Sequence, residues 1–189
     1  VVVTVTSSDT DEARVNGTSP ATLTFTTGTW NTAQTVTVTG VDDDIDDGDQ
    51  NTKVTIAVTS GDAGYTGLTD KTVTATTADD DTAAFTVSQS GGSTLVTEAG
   101  STDTFDVVLT TKPTSDVVVT VTSSDTDEAR VNGTSPATLT FTDVTWDTAQ
   151  TVTVTGVDDD VDDGDQNTTI TIAVDDDNSD NAFDGLADQ

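Results

Sequence analysis

The chain has 189 residues, of which 35 are acidic and 5 basic, giving a formal charge of −30. Such a surface repels nucleic acid and anionic membranes and attracts cations. The absence of Cys and His removes disulfides, thiolate chemistry, the usual zinc sites and every His-based catalytic triad, so oxygen is the ligand atom that remains.

Apolar residues make up 32% of the chain, a low share, yet they gather in short alternating runs and are not thinned out as in a disordered segment. No run approaches the length of a membrane span. Val1 opens directly on alternating Val and Thr with no leader visible, so the chain is expected to begin inside a domain. Residues 34–40, 53–58 and 72–77 alternate β-branched apolar residues with Thr, the pattern of half-buried antiparallel strands. From Ala83 onward a nearly complete set can be laid out, with strands expected at 84–88, 95–98, 102–111, 117–123, 137–141, 150–156 and 168–174. Within it Val152 and Val154 should face a core while Thr151, Thr153 and Thr155 face water, and Leu139 with Phe141 and Ile170 with Ile172 repeat the arrangement. Gly91-Gly92, Lys112-Pro113, Asn132-Gly133 and Asp163-Gly164 supply turns between them. No window carries a 3.6-residue apolar period with caps, so no long helix is expected. About seven short strands with regular turns point to an all-β, immunoglobulin-like sandwich.

An internal copy sets the organisation. Residues 1–58 recur 116 positions later as 117–174, and only six positions differ: Thr27/Asp143, Gly28/Val144, Asn31/Asp147, Ile45/Val161, Lys53/Thr169 and Val54/Ile170. A period this long means whole domains in a tandem array. The expected units are 1–82, lacking its leading strands, and 83–189, lacking its final strand. Both are left with open edges that a strand from a neighbouring chain could pair with.

The acidic residues bunch where strands end. Six Asp lie between Val41 and Gln50, and six more between Val157 and Gln166. A second acidic loop occupies residues 7–12 and 123–128, and Asp79, Asp80 and Asp81 stand where one unit hands over to the next. Such carboxylates repel one another unless a cation intervenes. Ca²⁺, which takes about six to eight oxygen ligands and tolerates irregular loops, suits them better than Mg²⁺.

The glutamate-bearing stretch at 95–100, Leu-Thr-Phe at 139–141, the alternating strand running into Asp158 to Asp163 and the closing Asp79, Asp80 and Asp81 together resemble Calx-β domains. The resemblance covers nearly the whole chain. It implies tandem Greek-key β-sandwiches with calcium ligands at Glu98, Asp125, Asp158, Asp159 and Asp163 in the second unit. In the first unit it implies ligands at Asp9, Asp42, Asp43, Asp47, Asp79, Asp80 and Asp81. Gln50 and Gln166 stand where the family pattern often has another acid, and Asp127 or Glu128 could coordinate in place of Asp125. Similar Thr-, Val- and Asp-rich repeats occur in very large bacterial surface and adhesin-like proteins.

The expected function is accordingly a calcium-rigidified structural repeat of a long secreted or cell-surface protein, an adhesin stalk or spacer. Its partners would be neighbouring repeats of the same protein. The alternatives are a subunit of a self-assembling extracellular filament or surface layer, completed by strand exchange with identical chains, and a carbohydrate-binding module using Trp30 or Trp146. No enzymatic activity, nucleic-acid binding or membrane insertion is expected. Scattered acids such as Asp103, Asp106, Asp147 and Asp188 read as solvated, and residues 175–180 as a solvated hairpin tip. Asn16 and Asn132 begin Asn-Gly turns that also match a glycosylation triplet, as does Asn167 with Thr168 and Thr169.

Overall fold

The structure, a computed structural model, describes residues 1–189. Its strands pair antiparallel throughout, and the only helical elements are single 3₁₀ turns at Ser90–Gly92, Asp176–Asn178 and Asn181–Phe183. The chain is all-β, as its period-two patterning requires. Two compact units are present, Val1–Asp43 with Asp47–Asp80 and Asp44–Asp46 with Asp81–Gln189.

The first unit contains β1 (Val2–Ser7), β2 (Ala13–Val15), β3 (Ala21–Thr24), β4 (Val38–Gly40), β5 (Gln50–Val58) and β6 (Lys71–Thr77). They form one sheet in the order β3-β1-β5-β6 and a separate pair β2-β4. Its core is small: Val5, Val15, Ala21 and Val54, with Leu23, Val36, Ile56 and Ala75 half-buried against them.

The second unit contains β7 (Phe85–Gln89), β8 (Thr102–Leu109), β9 (Val117–Ser123), β10 (Ala129–Val131), β11 (Ala137–Phe141), β12 (Gln150–Gly156) and β13 (Ile170–Val174). Its two sheets run β10-β12-β8-β7 and β11-β9-β13. Alternate residues of both feed one apolar cluster: Phe105, Val107, Val152 and Val154 from one sheet, Val117, Val119, Val121, Leu139, Phe141 and Ile172 from the other. Each such side chain, removed from water, stabilises the fold by about 1.5–3 kcal/mol. The arrangement is sandwich-like, and the predicted inward set of β11 and β12 is the buried set.

Three expectations are corrected. Residues 95–98 are not a strand. Leu95 is 77% exposed, its N–H donates to Asp103 Oδ2 (2.8 Å), and Thr97 N–H donates to Ser101 Oγ (2.8 Å), so side chains rather than a neighbouring strand satisfy this backbone. Asp103 is therefore not merely solvated: it also accepts from Ser90 Oγ and Thr104 N–H, and these bonds hold its carboxyl below the ordinary value. The run 175–180 is not a solvated hairpin tip either. It enters a 3₁₀ turn and ends at Asp180, only 6% exposed, which accepts from Thr114 N–H and Oγ1, Ser115 N–H and Ala182 N–H. The three-residue strands β2 and β10 were not anticipated, because three residues are too few to display a period.

Near-identical sequence takes different forms in the two units. β12 pairs with β8 and is seven residues long, whereas β4, which has no strand on that side, is three. Val154 is 2% exposed and its counterpart Val38 39%.

Candidate functional site

The site is assembled by three segments of the second unit. The loop from Ser123 to Glu128 folds on itself: Ser123 Oγ donates to Asp125 O (2.8 Å), Asp127 N–H to Asp125 Oδ1 (3.0 Å) and Ala129 N–H to Asp125 O (3.1 Å). Arg130 Nε donates to Thr126 O (2.9 Å), closing the same turn. Glu128 leads into β10, and its carbonyl accepts from Val157 N–H (2.9 Å), which brings the acidic loop after β12 alongside. The third segment crosses at Gly156, whose N–H donates to Ser101 O (3.0 Å); a Cβ there would sit 2.1 Å from Thr97 O, so only glycine admits this approach. Glu98 is delivered to the acidic end by that crossing.

Electrostatics locate the centre at Glu128. Partial withdrawal from water, and after it the charges of Asp163, Asp125, Asp159 and Glu98, push its carboxyl above the ordinary value. Four of the five predicted positions of this unit thus act on one group; Asp158 is not among them. Asp159 Oδ1 also accepts from Val161 N–H (2.7 Å).

The first unit repeats the arrangement with its own residues. Ser7 Oγ donates to Asp9 O (2.6 Å) and Asp11 N–H to Asp9 Oδ1 (3.0 Å), while Glu12 O accepts from Val41 N–H (2.9 Å). Glu12 is pushed up first by withdrawal from water and then by Asp47, Asp43, Asp9 and Asp11. A further contact is made here by the end of β6: Asp79 Oδ2 accepts from the N–H groups of Asp47 (3.1 Å) and Gly48 (2.6 Å), and Asp79 N–H donates to Asp49 Oδ1 (3.1 Å). Predicted positions Asp9, Asp43, Asp47 and Asp79 therefore meet in this unit. Asp42, Asp80 and Asp81 are not among the groups that act on Glu12.

Gln50 and Gln166, which replace an acid of the resembled pattern, have a structural use. Each Nε2 donates to the carbonyl of the Asp three residues earlier, Asp47 and Asp163, both at 3.0 Å, and so closes the acidic loop. Glu12 and Glu128 were underweighted by the sequence, where each is one acid at the end of a run. Each stands just before β2 or β10, where partial withdrawal from water, and after it the neighbouring carboxylates, raises its carboxyl.

The side chains gathered at each acidic end are carboxylates, hard oxygen groups of the kind that Ca²⁺ takes. In the structure itself no group of three or more carboxylates is drawn to metal-ligating geometry. The Trp side chains differ between units: Trp146 packs against the core cluster, and Trp30 is 68% exposed. No helix is long and apolar enough to cross a membrane. Compared with known proteins, the chain matches no family model and no curated relative.

Proposed function

We propose that the chain is a structural repeat of a long extracellular protein, a stalk or spacer of Calx-β-like, immunoglobulin-like units whose acidic ends take up calcium. The observation that carries the reading is the duplication of one constellation: Glu12 with Asp9, Asp43 and Asp47, and Glu128 with Asp125, Asp159 and Asp163. A surface made acidic only for hydration would scatter its charges, because clustering them costs free energy through repulsion. Bound calcium would supply the positive charge that offsets this repulsion. The chain's own part is to bring the loops together through the Val41-to-Glu12 and Val157-to-Glu128 backbone bonds and to hold the loop turns with Gln50 and Gln166. Ions that bind the folded state alone stabilise it by mass action, and weak extracellular sites are matched to millimolar calcium. Near-identical copies suit a protein that needs length.

Small-angle scattering of the full chain with calcium and with chelator tests the stiffening. The proposal expects a narrower range of extension with calcium, and identical profiles would contradict it. Trp30 gives the carbohydrate-binding reading an exposed ring, but its counterpart Trp146 is packed against a core, so the pair makes no repeated platform.

A further inference from the structure

Asn-x-Thr triplets lie at 16–18, 132–134 and 167–169, and the structure sets the third apart. Asn132 has a φ of 49°, and its Oδ1 accepts the N–H of Thr153 (2.9 Å). Around it Val131 and Thr134 exchange both backbone bonds, Val131 N–H to Thr134 O (3.1 Å) and Thr134 N–H to Val131 O (2.9 Å). Asn16 repeats this with a φ of 50° and a bond from Thr37 N–H (2.9 Å). Both triplets are therefore closed into tight turns that the Asn side chain helps to fix.

Asn167 lies in no turn; it follows the acidic loop and leads into β13. Thr169 is fixed through its backbone, its N–H donating to Ser124 Oγ (3.0 Å) and its carbonyl accepting from Ser124 N–H (2.9 Å). Asn167 and Thr169, two positions apart, are both exposed, while Thr168 between them is half-buried. The exposure belongs to the position and not to what lies beside it. The counterparts Asn51 and Lys53 are equally exposed with β6 paired along them, and at Asn51 it is Oδ1, not the amide nitrogen, that bonds to Thr76 Oγ1 (2.8 Å). The first copy has no triplet here, because Lys53 stands where the second has Thr169. Asp165 stands two residues before Asn167, whereas Arg14 and Arg130 hold that place before Asn16 and Asn132.

We propose that Asn167 is an N-glycosylation site of the folded second unit, the acceptor for an oligosaccharide carried on a polyprenyl diphosphate. In the transfer Nδ2 of Asn167 attacks the anomeric carbon, and a C–N bond replaces that carbon's bond to the diphosphate oxygen. The polyprenyl diphosphate leaves, and one amide proton passes to a base of the transferase; no oxidant or reductant enters. Thr169 presents the hydroxyl that such enzymes read at the third position of the triplet. Asp165 supplies the acidic residue that bacterial transferases of this kind require ahead of the Asn. A bulky, hydrated glycan at 167 would stand at the foot of the acidic loop without displacing a packed side chain. The site rests on the triplet and its exposure, and calcium has no part in it.

The folded full chain, incubated with a purified single-subunit oligosaccharyltransferase of the acid-requiring bacterial class and its lipid-linked oligosaccharide, tests it by intact-mass and peptide mass spectrometry. The expected result is one added glycan per chain, on the peptide containing Asn167. Asn167→Gln should carry none, and neither should Thr169→Lys, which installs the first copy's residue and should leave the melting temperature unchanged. A free peptide of residues 163–171 is run beside the chain. Modification of that peptide with the folded chain untouched would show the site closed and overturn the proposal, as would transfer at Asn16 or Asn132 in place of Asn167. No transfer to chain or peptide, while the enzyme's own acceptor peptide is consumed, would overturn it too, since the triplet would not be an acceptor.

Discussion

Asp180 shows how far a single carboxylate can depart from its surroundings in the sequence. It lies among five other acidic or amide residues, yet it alone is buried, because it closes the turn at Thr114 and Ser115 against the turn at Ala182. Burial by itself would raise its carboxyl; the donated hydrogen bonds outweigh that and hold it below the ordinary value of 3.8. A depressed folded value means that the native state favours the ionised form. The contribution is present above the unfolded value and is lost as pH falls through the folded one. Asp180→Asn should destabilise the second unit by about 2–3 kcal/mol and flatten the loss of melting temperature below pH 3.8; an unchanged acid limb would contradict this role. Gly156 gives a second test at the same scale. Gly156→Ala drives a methyl into Thr97 O and should cost about 1–3 kcal/mol, while Gly40→Ala meets only the Thr77 side chain at 3.2 Å and should be nearly neutral by thermal melting. At the acidic end, Glu128→Gln should raise stability in chelator by removing one of the repelling charges and weaken calcium affinity. Loss of stability in chelator would show that repulsion at Glu128 is not what the cation offsets.

At the level of strands, the alternation of Val and Thr was enough to place β9, β11 and β12 to the residue and β8 within two. What it could not place was set by neighbours. The stretch 34–40 has the pattern of 150–156, but without β8 beside it only Val38–Gly40 pairs. β5, which pairs with β6 along seven of its residues, is nine residues long, and its counterpart β13 is five. Residues 95–98 have strand composition, and their backbone was claimed by Asp103 and Ser101 instead. Local propensity therefore gave the elements, and the available partner decided their length. The same holds for the acidic loops. Their clustering was visible in the sequence, while the central place of Glu12 and Glu128 required the pairings of β2 with β4 and β10 with β12.

Over the whole molecule, the two units are unequal despite their common sequence. Seventeen residues form the buried cluster of the second and four that of the first, so the first should open more readily. Amide exchange of the full chain is expected to be at least about tenfold faster in β1 and β5 than in β9 and β12, and equal protection would contradict the difference in cores. The central claim is that both acidic ends are cation sites that stiffen the fold, and a calorimetric calcium titration with melting in chelator and in millimolar calcium tests it most directly. The account predicts one or more ions for each unit and, at about a hundredfold excess over the dissociation constant, a rise in melting temperature of about 10 °C or more. No binding heat and no shift would contradict it, and would leave the clustered carboxylates as surface charge alone.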